Sequence, residues 1–134
     1  MILRRRRSSP EVQSSFAAFH DVLVHLEPAK AALTEVMPTT RMPGRPLPDA
    51  LAEFEEGLDR SGTLMPAWRA PAIEPEWIAC EQGLAEARDR ARRFREEAPE
   101  LGGFEGLIWA VEELMAPLDA FASAAERFRD LGAR

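Results

Sequence analysis

Four groups of residues in this chain have the types and spacing for chemistry. Glu53/Glu56 and Glu86/Asp89 are acidic pairs three residues apart, so each pair falls on one face of a helix. Carboxylates converging from two helices can hold a magnesium ion and orient phosphates. His20 and His25 offer imidazoles for a metal or a phosphoryl group, and Cys80 offers a thiol. Arg4 to Arg7, together with Arg88, Arg90, Arg92, Arg93 and Arg95, offer guanidinium groups for phosphate oxygens.

The acidic wording, Glu-x-x-Glu followed by Glu-x-x-Asp, resembles that of the all-helical nucleotide pyrophosphohydrolases. The resemblance implies a magnesium-dependent nucleoside triphosphate pyrophosphohydrolase with Glu53, Glu56, Glu86 and Asp89 as ligands. Against it, both pairs point away from the apolar seams described below, as solvated faces do, and Pro66, Pro71 and Pro75 lie between them. The histidines do not follow the Glu-x-x-His pattern of carboxylate metal centres in helical bundles, because Ala17 and Val22 stand three positions before them. Five residues of separation also turns them about 140° apart on a helix. Asp21 and His25 do share a face, but two ligands do not complete a zinc site.

His25 lies off the apolar seam and on position alone is similar to the histidine of phosphotransfer modules. Those usually continue with a Lys-Gly pair, whereas here Pro28 intervenes and Lys30 precedes Ala31. Cys80 falls on an apolar seam, where thiols serve as packing groups. Arg88 to Arg95 is interleaved with Glu86, Asp89, Glu96 and Glu97, leaving little excess positive charge. Arg4 to Arg7 is the more credible contact for an anionic lipid or nucleic acid, its plainer reading being an untied terminus. No catalytic residue, cofactor or metal ligand is therefore expected.

Composition sets wider bounds. With 134 residues and a net charge of −6, the chain suits one acidic domain rather than a general nucleic-acid binder. The lone Cys80 fits a reducing compartment, and a cytoplasmic location is expected. The polar stretch Ser8 to Ser14 is unlike the core of a signal peptide, and Gly106 to Val111, the longest apolar run, is too short for a membrane span.

The elements that must position these residues are read from apolar spacing. Four stretches repeat apolar residues at alternating intervals of four and three, a helical period that no strand shares. The first is Val12, Phe16, Phe19, Leu23, Leu26, Lys30, Leu33 and Met37, opened by Ser8-Ser9-Pro10-Glu11 as a capped start and with a kink, or a division into two abutting helices, expected at Pro28. The second, Leu47, Leu51, Phe54, Leu58, Ser61 and Met65, is weakened by Gly57 and Gly62 and ends near Pro66. The third is Ile73, Trp77, Cys80, Leu84, Ala87, Ala91, Phe94 and Ala98, with ion pairs Glu86–Arg90, Asp89–Arg93 and Arg92–Glu96 on its polar face. The fourth runs Phe104, Leu107, Val111, Leu114, Leu118, Phe121, Ala125 and Phe128, with a kink at Pro117.

These stripes predict an all-α antiparallel four-helix bundle over residues 9–134, after a basic N-terminal arm at 1–8. Pro66 to Pro75 is expected to lie as a proline-rich strap between helices 2 and 3. An intertwined dimer would bury the same seams. Trp109 falls almost opposite the fourth seam, so either the strap with Trp68 and Ile73 covers it, or it anchors a partner. The candidate contact residues are Trp109, Ile108, Met115 and Trp68. The expected role is a non-catalytic helical module acting through a protein partner or as a homodimer.

Overall fold

The computed structural model describes residues 8–134. The basic run Arg4–Arg7, and with it all of the expected arm except Ser8, lies outside the described residues. Five α-helices occupy four bundle positions: α1 (Pro10–Thr34), α2 (Leu47–Leu64), α3 (Glu74–Glu97), and α4 (Phe104–Met115) continued by α5 (Asp119–Asp130). The all-α bundle read from the stripes is the observed fold.

Local chemistry explains the boundaries. Ser9 caps α1 by accepting the Val12 N–H on its hydroxyl at 3.2 Å, and Pro10 supplies a preset first turn. Pro28 does not divide the helix. It and Val24 are both exposed, so the backbone bond that proline removes falls on the solvent side and α1 continues to Thr34. Pro117 does interrupt the fourth position, as a short 3-10 turn, Ala116–Leu118, between α4 and α5. All three ion pairs expected on α3 form, at 2.9, 3.1 and 3.2 Å.

The first seam is rotated from its expected position. The side chains that α1 buries are Val12, Ser15, Phe19, Val22, Leu26, Ala29, Ala32 and Leu33, with Val36 buried just past its end, while Phe16, Leu23, Lys30 and Met37 flank them half-buried. Ala29 thus fills the place assigned to Lys30, and the interruption disappears. A small residue is needed there because α2 comes close at that point. A Cβ on Gly57 would lie 2.4 Å from the Ala29 Cβ. Gly57 therefore permits the contact between α1 and α2 rather than simply weakening a helix. Gly83 does the same for α3, where a Cβ would meet the Pro117 carbonyl oxygen at 2.2 Å.

The segment after α2 differs from a strap laid over the bundle. It forms two 3-10 turns, Met65–Trp68 and Pro71–Ile73, that insert Met65, Trp68 and Ile73 into the core. Trp68 is 0% exposed and packs edge-on to Phe19 at 4.9 Å, with Phe128 at 6.0 Å and Trp77 at 6.5 Å between ring centres. Its carbonyl accepts from the Ser15 hydroxyl at 2.5 Å, and the Trp77 indole N–H donates to the Met65 carbonyl at 2.8 Å. These bonds satisfy polar groups that would otherwise be buried at a cost.

Candidate functional site

The acidic pairs do not converge. Each member instead meets arginine: Glu53 with Arg45, Glu56 with Arg60 at 2.5 Å, Glu86 with Arg90 at 2.9 Å, and Asp89 with Arg92 at 2.5 Å. The Arg92 hydrogen bond holds the Asp89 carboxyl below its ordinary pKa, with Arg93 adding to the effect. Across the α2–α3 contact, acid faces base, Asp59 meeting Arg88 at 2.6 Å and Glu55 meeting Arg95 at 3.5 Å. Among the described residues, no group of three or more His, Cys, Asp or Glu is placed to hold a metal ion.

His20 and Asp21 are exposed, while His25 is half-buried, its carbonyl oxygen 3.2 Å from where a Cβ on Gly57 would lie. Cys80 is buried, and burial, followed by the nearby Glu76 charge, pushes its thiol up to about 12. A neutral thiol inside the bundle is a packing group.

The unfinished part of the bundle lies where α3 ends and α4 begins. The α3 seam is closed as far as Ala91, but Phe94 is half-buried and Ala98 exposed. Ala98 ends the helix in the left-handed region at φ 40°, and Gly102 and Gly103, at φ 67° and 95°, reverse the chain. The returning loop presses Leu101 onto the first turn of α4, where any Cβ on Gly106 would overlap the Leu101 carbonyl oxygen. The register of the two helices follows from Phe94 against Trp109, ring centres 5.7 Å apart, and from Arg90 donating to the Glu113 carbonyl at 2.8 Å.

This arrangement leaves Trp109 52% exposed and Phe104 54% exposed. The core turns of Trp68 and Ile73 do not cover Trp109, which corrects one of the two expectations for it. Trp68, also expected as a contact residue, is sequestered in the core. Ile108 is half-buried beside Trp109, and Met115 is half-buried against the core. Phe94 also lines a groove of about 540 Å³ between α2 and α3, with Leu47, Leu51 and Ala98 on its walls. Apolar spacing had not revealed this groove, because it depends on how far two helix ends splay apart. At its rim the Glu55 Oε1 atom is buried without a hydrogen-bond partner.

No helix among the described residues is long and apolar enough to cross a membrane. Comparison with protein families, with curated proteins and with solved structures gives no match for this chain.

Proposed function

We propose that this chain is a non-catalytic helical module, cytoplasmic in location, that acts through protein contacts made by the open end of the bundle. The observation that carries the reading is the half-exposed Trp109. An indole is expensive to leave in water, and it is among the side chains that most often dominate binding energy. Ile108 adjoins Trp109 on α4, and the groove beside Phe94 gives that surface a concave neighbour. The acidic pairs, each held by arginine, serve helix stability in this reading.

Trp109 can be observed separately from the two core indoles by subtracting the emission of a Trp109→Phe chain from that of the parent. In dilute solution the difference spectrum is expected to be red and readily quenched by acrylamide. It should become blue and protected when the contact forms. Emission that is already blue and protected at the lowest concentration would place Trp109 in the monomer's interior and remove the basis of the proposal.

A further inference from the structure

Charge along the turn from the end of α3 through α4 is one-sided, although Arg95 lines the adjoining groove. From Glu96 to Met115 the sequence carries six glutamates and no lysine or arginine. Two of the six are held by α3 arginines, Glu96 by Arg92 and Glu113 by Arg90. Among the described residues Glu97, Glu100, Glu105 and Glu112 have no ion-pair partner. Glu105 and Glu112 stand four residues before and three after Trp109, hence on the same helical face. An indole flanked on its own helical face by Glu105 and Glu112 disfavours phosphate-bearing lipids and nucleic acids, and it suits a segment carrying both cations and apolar side chains.

One such segment is in the chain itself. Met1-Ile2-Leu3-Arg4-Arg5-Arg6-Arg7 joins three apolar residues to four successive arginines. It falls short of its own Trp109. Trp109 is level with Phe94, Arg95 with Glu55, and Gly57 with Ala29, so the indole stands beside about residue 30 of α1. From Ser8 to that level is roughly 33 Å along the helix, whereas seven residues extend at most about 25 Å.

Resting on the protein-contact reading above, we propose that the occupant of this face is residues 1–7 of a second copy. The three apolar residues match the groove of Leu47, Leu51 and Phe94 in chemistry, and the four arginines match the glutamates beside Trp109 in charge. Ser8 stands at the end of the bundle opposite the patch, so two copies side by side and antiparallel bring segment 1–7 of each within reach of the partner's patch. That makes a two-fold contact in which each arm meets the partner's patch.

The test uses two variants of the full chain. Replacing Arg4, Arg5, Arg6 and Arg7 by Ser disables the arm, and replacing Glu97, Glu100, Glu105 and Glu112 by Gln disables the patch. In sedimentation velocity each variant alone is expected to associate about tenfold or more weakly than the parent. The parent's association should also weaken as salt rises. An equimolar mixture of the two variants retains one intact arm-to-patch contact per pair and should associate more strongly than either alone. Full association by the arm variant would overturn the proposal while leaving a protein contact through another surface. A parent that stays monomeric, with a peptide of residues 1–9 leaving Trp109 emission unchanged, would overturn it too. So would an arm variant whose only defect is lost binding to phosphatidylserine vesicles.

Discussion

In the sequence Cys80 stands on a helical seam, Trp68 between prolines and Trp109 off its seam, and their surroundings separate them further. Cys80 is raised from 9.0 to about 12 by burial and the Glu76 charge. A thiol whose pKa is higher folded than unfolded adds stability fully present below pH 9, and that stability is lost as pH rises toward 12. Denaturant unfolding followed across this window should show a falling midpoint, with a smaller fall in Cys80→Ala. The native thiol should also resist a disulfide reagent until the chain opens. Trp68→Ala should cost about 3–5 kcal/mol in the same unfolding assay, because it empties the place where four aromatic rings meet. Trp109→Ala should cost only about 1 kcal/mol, chiefly its contact with Phe94. The sequence placed Trp109 off its seam correctly. It could not show that Trp68, between prolines, turns inward, since 3-10 turns carry no long period to read.

At the scale of elements, the distinction lies in the glycines. Gly57 and Gly62 both look like weak points in α2, but a Cβ on Gly57 would strike Ala29, whereas one on Gly62 would find only the end of Arg88 at 3.6 Å. Gly57→Ala should therefore destabilise the chain by about 1–3 kcal/mol through overpacking. Gly62→Ala should stabilise it by about 0.5–1 kcal/mol through helix propensity. Thermal unfolding of the two variants gives opposite signs if the contact is as described. The same contact explains the rotated α1 seam. Apolar size favoured Phe16, Leu23 and Met37, but close approach favoured Ala29 and the bond to the Trp68 carbonyl favoured Ser15, and proximity between elements is not encoded in one helix's pattern. Helix starts, the α3 ion pairs and the break at Pro117 were legible because each depends on neighbours within four residues.

Across the whole molecule, the four seams close along most of their length and open at one end, at the junction where α3 runs to α4 beside the start of α2. Their closure accounts for the fold, and the junction accounts for the function proposed. The groove beside Phe94 and the exposure of Phe104 arise from the relative placement of helix ends, which the sequence does not state. The acidic bias around them was present in the sequence but gained meaning only once Trp109 was placed among those glutamates. Sedimentation equilibrium of the intact chain and of Trp109→Glu over a wide concentration range, with helicity checked by circular dichroism, tests the central claim most directly. A self-associating parent and a fully helical, monomeric variant are the predicted result. A monomeric parent at every concentration, with a variant that loses its helicity, would show that Trp109 belongs to the core and contradict the proposed contact.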